Sequence, residues 1–216
     1  MSLNSQSKFS GPHGQQQVVD LFVQPRDACG ISNQGHDFRS ERALIVEKRL
    51  QGKVYKFGDN INSDIIIPGR YLIFIEPDKL AEHAFEMLGE GFPSKLREFD
   101  ILVAGRNFGC GSAREQAVTA IIGLGIKAVV ACSFARTFYR NAINAGLPIV
   151  ECRELYATVA EGDSIQIDLA AGEIHHNGTT YLFPKFPDSM RQLLEVGGLA
   201  EYLKAQLRHA GEVRRD

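Results

Sequence analysis

The stretch from Asp100 to Glu151 constrains the fold more than any other part of the chain. Ile101-Leu102-Val103-Ala104 is a short, wholly apolar run that ends in the loop Gly105–Gly111. Ala117, Ala120, Ile121 and Leu124 then recur at helical spacing, which predicts a helix over 113–124. Ala128–Ala131 reads as a second buried strand, 134–145 as a second helix stopped by Gly146, and Leu147–Val150 as a third strand. Apolar runs without alternation belong to strands covered on both faces. Strand, helix, strand, helix, strand is the pattern of a parallel α/β unit.

The flanks are less regular. Val54–Phe57 predicts a strand followed by a turn at Gly58-Asp59-Asn60. Residues 61–77 read as an irregular segment with two apolar runs, Ile65–Ile67 and Leu72–Ile75, broken by Pro68-Gly69. Pro77-Asp78 opens a helix in which Leu80, Ala81, Ala84, Phe85 and Leu88 keep helical spacing. Beyond the α/β unit, 164–169, 173–176 and 180–183 read as β segments with turns at Gly172 and Asn177-Gly178. A closing helix fits 198–209. These elements predict one folded domain over 43–216. Residues 1–42 read as an extension: 1–17 rich in Ser, Gln and Gly and expected to be partly disordered, 18–42 a packing arm with one apolar run, Val18–Val23.

Composition removes whole classes of function. Lys plus Arg number 24 against 26 Asp plus Glu, a net charge of −2, so bulk charge does not drive this chain onto nucleic acid. A membrane-spanning helix needs about 20 consecutive apolar residues, and the longest runs, such as Tyr71–Ile75, fall far short. The first residues lack the apolar core of a secretory signal. Cys29, Cys110, Cys132 and Cys152 form no C-x-x-C pair, which predicts reduced thiols and a cytoplasmic setting rather than a disulfide frame or zinc knuckle. No membrane and no nucleic-acid partner is expected.

The chemistry concentrates in the loop Gly105-Arg106-Asn107-Phe108-Gly109-Cys110-Gly111-Ser112-Ala113-Arg114-Glu115-Gln116. A strand-to-helix loop lies at the carboxyl edge of the sheet, where open α/β folds bind ligands. Its glycines allow close backbone approach, and a helix start offers free N–H groups to an anion. Other known loops fit worse: the Lys of a phosphate-binding loop is missing, and a hydrolase elbow needs Gly where Cys110 and Arg114 stand. Ser112 and Arg114 at a helix start suit a small carboxylate, which Arg114 can grip as a two-pronged donor. Ser112 with Glu115 three residues on also fits a capping box, so a purely structural reading of Ser112 stands beside the chemical one. His83 and Glu86 share a helix without further ligand pattern, and His175-His176 beside a hairpin turn reads as solvated. Arg136 and Arg140 fit either a site rim or a solvated face.

GRNFGCGSAREQA, GDNINSDIIIPGRYL and KAVVACSFARTFYRNAINAGLPIV together resemble the small subunits of 3-isopropylmalate dehydratase, the swivel domain of the aconitase superfamily. The resemblance covers roughly 50–207. It implies an α/β swivel fold (β/β/α, a partly open, barrel-like mixed sheet with flanking helices). It also implies a large-subunit partner carrying a [4Fe–4S] cluster, with no cofactor or metal held by this chain. The implied reaction interconverts 2- and 3-isopropylmalate, both hydroxy-dicarboxylates, by dehydration and rehydration in leucine biosynthesis. By the same resemblance Ser112 is the base, Arg114 holds substrate carboxylate, and Asp64 pairs with a histidine of the partner. Ala113 stands where the family usually has a second Ser in the substrate site, and Gln116 where many members have His. Leu72, Ile73 and Phe74 fall where the family meets the substrate's variable group, apolar here where homoaconitase-like members tend to place Arg after Leu. The alternatives are the small subunit of homoaconitase or of another hydro-lyase of the same superfamily, such as one acting on a methylated malate, and, in a different class, a non-catalytic anion-binding module.

Overall fold

The computed structural model describes residues 49–112 and 114–212. The readings of 1–42 as an extension, of a domain start at Ala43 and of Ala113 as a substrate contact lie outside the described residues. The described residues form seven strands, β1 (Arg49–Lys56), β2 (Ile101–Ala104), β3 (Ala128–Ala131), β4 (Ile149–Glu151), β5 (Ser164–Asp168), β6 (Glu173–His176) and β7 (Thr179–Leu182). They form one mixed sheet in the order β4-β3-β2-β1-β5-β6-β7.

Strand β1 joins two different half-sheets. Its second half pairs parallel with β2 (Val54 opposite Ile101), and its first half antiparallel with β5 (Arg49 opposite Asp168). β2, β3 and β4 continue the parallel half, while β5, β6 and β7 form an antiparallel meander. Every residue of β2 and β3 is buried, as their unbroken apolar runs require. β6 alternates half-buried with buried residues, and edge strand β7 is largely exposed.

The helices are α1 (Ser63–Ile66), α2 (Pro77–Ala81), α3 (Phe92–Leu96), α4 (Glu115–Gly123), α5 (Arg136–Asn144), α6 (Arg153–Thr158), α7 (Asp188–Glu195) and α8 (Leu199–Glu212). α4 and α5 are the crossover helices of the parallel unit. Each turns its apolar face inward, through Ala117, Val118, Ala120 and Ile121 in α4 and Phe138, Ala142 and Ile143 in α5.

The helix expected through Leu88 ends at Ala81. Phe85 takes a left-handed backbone (φ 58°), and its N–H donates 2.9 Å to the Ile66 carbonyl outside any helix. Burial explains the break: the Phe85 ring is fully buried and stacks on Phe57 at 4.9 Å between centroids. A continuous helix would forgo that contact. β1 also begins earlier than alternation suggested, and the short helices α3 and α6 and the longer α7 were not anticipated. His176 corrects the reading of a solvated pair: it is 4% exposed, and its Nε2 lies 2.9 Å from Asp163 Oδ2. The Ala160 N–H and then His176 hold the Asp163 carboxyl below its usual range.

Because Phe85 anchors the path from α2 to α3, Phe85→Ala should destabilise the chain by about 3–5 kcal/mol. Urea unfolding followed by circular dichroism measures it. A loss under 1 kcal/mol, roughly that of an exposed position, contradicts the anchoring role.

Candidate functional site

Beyond the ends of β1, β2 and β3 the chain leaves strand geometry without losing its ladder. Phe57, Asn60 and Ser63 donate to the carbonyls of Val103, Arg106 and Cys110, while Gly105 and Gly109 donate back to Gly58 and Ile61. On the other side, Cys132 donates to Ala104, Phe108 to Ser133, and Ala135 to Phe108. The glycine loop is therefore tied along both edges, at the carboxyl ends of the parallel strands.

Short polar side chains complete the frame. Asp59 Oδ1 accepts the Arg106 N–H at 2.7 Å, and Ser133 Oγ accepts that of Asn107 at 2.9 Å. Asn60 and Asn107 both adopt left-handed backbone (φ 59° and 62°), and Asn107 Nδ2 donates to Asn60 Oδ1 at 3.0 Å. Gly109 (φ 76°) lies so close to Phe138 that an added Cβ would fall 2.2 Å from the ring.

This frame brings Asp64 and Arg114 together. Asn62 caps α1, its Oδ1 accepting the Ile65 N–H at 2.8 Å, and so sets Asp64 in the first turn. Arg114 Nη1 donates to Asp64 Oδ1 at 2.5 Å and to the Ile67 carbonyl at 3.4 Å. The Arg114 side chain is 20% exposed and that of Asp64 53%, so the guanidinium sits low in the site and the carboxylate at its rim.

Ser112 is exposed and does not cap α4. The cap position belongs to Arg114, in extended conformation and with no side-chain cap bond, and the Ser112 carbonyl accepts the Arg114 N–H at 2.9 Å. The capping-box reading of Ser112 and Glu115 is thus overturned. Arg114, extended at the cap position, instead reaches across to Asp64. With no side-chain cap, the positive end of α4 faces the Ser112 loop.

The apolar segment Leu72–Phe74 follows a single 3-10 turn, Gly69–Tyr71, instead of lying in a strand. Leu72 and Phe74 are half-buried against the core, whereas Ile73 is 81% exposed. Tyr71 stacks on His83 with ring centroids 3.7 Å apart, and Phe74 lies parallel to the same imidazole at 6.3 Å. His83 Nδ1 meets Glu86 Oε2 at 3.1 Å, and Arg70, which also pairs with Glu86, lies over Tyr71. His83 and Glu86 therefore brace this segment. Sequence pattern missed them because the stack joins residues on separate turns.

Among the described residues no three His, Cys, Asp or Glu side chains converge on a point where they could hold a metal ion. Cys110 is half-buried in the loop, and burial pushes the thiols of Cys132 and Cys152 upward. Arg136 and Arg140 are exposed. No helix among the described residues is long and apolar enough to cross a membrane.

A mixed sheet with a glycine loop at its parallel edge is the architecture of the aconitase C-terminal domain, whose family model matches residues 27–154. The 3-isopropylmalate dehydratase small subunit of Thermodesulfovibrio yellowstonii is 49% identical over 161 residues, 74% of this chain and 96% of that protein. The isopropylmalate/citramalate isomerase small subunit of Methanocaldococcus jannaschii is 45% identical over 73% of this chain and 95% of its own length. A crystal structure of 3-isopropylmalate dehydratase from Methanocaldococcus jannaschii superposes with a TM-score of 0.70 at 44% identity, covering 76% of this chain and 98% of that one. The chain belongs to the family of 3-isopropylmalate dehydratase small subunits.

Two substitutions separate the frame from the charges it holds. Gly109→Ala puts a Cβ into the Phe138 ring at an unfavourable φ and should cost about 2–4 kcal/mol. Asp64→Asn removes one charge of a rim pair and should cost under about 1 kcal/mol. Denaturant melts of both variants test the contrast; equal losses refute it.

Proposed function

We propose that this chain is the small subunit of a 3-isopropylmalate dehydratase. In this reading it interconverts 2- and 3-isopropylmalate in leucine biosynthesis, together with a large subunit that carries a [4Fe–4S] cluster. The observation that carries it is the exposed Ser112 beside an Arg114–Asp64 pair, at the carboxyl edge of a parallel sheet. The cluster belongs to the partner in this reading, while this chain's own groups handle the proton and the carboxylate.

Ser112, as alkoxide, takes a proton from the carbon next to a substrate carboxylate. The C–H electrons become the C=C bond, and hydroxide leaves the neighbouring carbon with the C–O electrons, taking a proton supplied from the large-subunit side of the site to depart as water. Rehydration in the opposite orientation gives the isomer. A serine alkoxide needs help, and the positive end of α4 with the nearby guanidinium supplies it. Arg114 grips a carboxylate through the guanidinium edge that Asp64 leaves free. In this reading Asp64 pairs with a histidine of the large subunit, which its half-exposed position at the rim supports. A two-pronged grip is a matter of shape as well as charge, so Lys could not replace Arg114.

Substrate choice follows from Ile73. Exposed on a braced turn, it offers apolar contact to an isopropyl group, worth about 0.8 kcal/mol per buried CH₂. A distal carboxylate, as in homoaconitate, would have to compete for Arg70, the arginine just before this turn, which is already held by Glu86 and Tyr71. Desolvating that charge costs several kcal/mol (about 2–7 even for a neutral polar group). The relative from Methanocaldococcus jannaschii, named for both isopropylmalate and citramalate, favours a second substrate with a methyl in place of the isopropyl group.

The test is reconstitution with a cluster-loaded large subunit and an assay of several 2-hydroxy acids. Turnover should require both subunits. Ser112→Ala should abolish it while changing stability by no more than about 0.5 kcal/mol, since Ser112 caps nothing. Wild-type turnover in that variant would refute the base assignment.

Wild-type complex should prefer 3-isopropylmalate to homoaconitate, and Ile73→Arg should move the kcat/KM ratio toward the dicarboxylate-tailed substrate. Equal or better kcat/KM for homoaconitate in the wild-type complex would sink the substrate assignment.

A further inference from the structure

Ser63 stands between the cap Asn62 and the rim residue Asp64, at the first position of α1. It is 1% exposed, and its Oγ has no hydrogen-bond partner. The backbone around it is satisfied: the Ser63 N–H donates to the Cys110 carbonyl at 2.7 Å, and the Ser63 carbonyl accepts the Ile67 N–H at 2.9 Å. Only the hydroxyl is left over. It faces Gly111, where an added Cβ would sit 3.2 Å from Ser63 Oγ, so only the bare glycine separates it from the loop.

Burying a hydroxyl without a partner is unfavourable, and an alanine would fill the same space without that cost. Gly111 (φ 93°) is the link immediately before Ser112, in a conformation that only glycine adopts readily. A peptide at such a position can reorient with little steric resistance. The orphan hydroxyl is therefore aimed at the hinge that sets the direction of Ser112.

We propose that Ser63 is a positioning residue for Ser112: in the assembled, substrate-loaded enzyme its buried hydroxyl hydrogen-bonds the Gly111–Ser112 peptide and fixes the line along which Ser112 Oγ meets the substrate carbon. The inference rests on the reading of Ser112 as base. Ser63 touches no substrate and acts only through the loop. Misalignment of a reacting atom lowers kcat more than it lowers affinity, because Arg114 still holds the substrate.

The experiment compares wild type, Ser63→Ala, Ser63→Thr and Ser112→Ala in the reconstituted two-subunit enzyme with 3-isopropylmalate, and measures the Tm of each small subunit. Ser63→Ala should lose on the order of tenfold or more in kcat with KM within about twofold, while its Tm equals or exceeds that of wild type. Ser63→Thr, which keeps the hydroxyl, should recover most of the lost kcat. Near-wild-type kcat in Ser63→Ala, alongside an inactive Ser112→Ala, would overturn the role of Ser63 and leave the base assignment standing. A fall in Tm that parallels the loss of kcat, or a folded Ser63→Thr without recovery, would also overturn it. Full turnover in Ser112→Ala would instead remove the reading on which the inference rests.

Discussion

The site depends on a backbone ladder that outlasts its strands. Past Lys56, Ala104 and Ala131 the regular strands end, yet seven backbone hydrogen bonds still tie the glycine loop Gly105–Gly111 to its neighbours on both sides. A loop of that length would ordinarily be among the softest parts of a domain. Here the N–H groups of Gly105 to Gly109 and the carbonyls of Gly105, Arg106, Phe108 and Cys110 all pair with protein, so its shape is set by the same parallel pairing that buries β2 and β3. The left-handed residues Asn60, Asn107, Gly109 and Gly111 are the cost of keeping register while the chain turns. Mixed parallel and antiparallel pairing on β1 is what lets one edge of the sheet be committed to this task and the other to a simple meander.

Much of this was legible in the sequence. The parallel unit from Ile101 to Glu151 could be read from apolar runs alone, because burial on both faces leaves no choice of residue type. The loop, and Ser112 and Arg114 within it, stood out for the same reason: polar and glycine residues between two obligatory core segments. Asp64 came from resemblance, since one acidic residue in Asn62-Ser63-Asp64 carries no pattern of its own.

What stayed hidden was set by tertiary contact. Helical spacing from Leu80 to Leu88 was genuine, but Phe85 gains more from Phe57 than a helix would return. Ser112 and Glu115 matched a capping box, yet Arg114 takes the cap position and its guanidinium reaches Asp64. His176 looked solvated beside its turn, and a partner thirteen residues away, Asp163, buries it. In each case a local preference of a fraction to about one kcal/mol yielded to a contact between distant residues.

The two halves of the site are held by different forces. Ser112 and Arg114 hang from hydrogen-bonded backbone, which tolerates little change: Gly109 has no room for a Cβ. Ile73 rides on a turn braced by side chains, with Tyr71 on His83 and Glu86 between His83 and Arg70. Backbone ladders fix geometry whatever side chains they carry, whereas ring stacks fix a turn while leaving its tip free. A residue at that tip can be exchanged without disturbing Ser112 or Arg114. In the proposed reading the fold thus separates the chemistry, written into the sheet edge, from the choice of substrate tail, written into one exposed side chain.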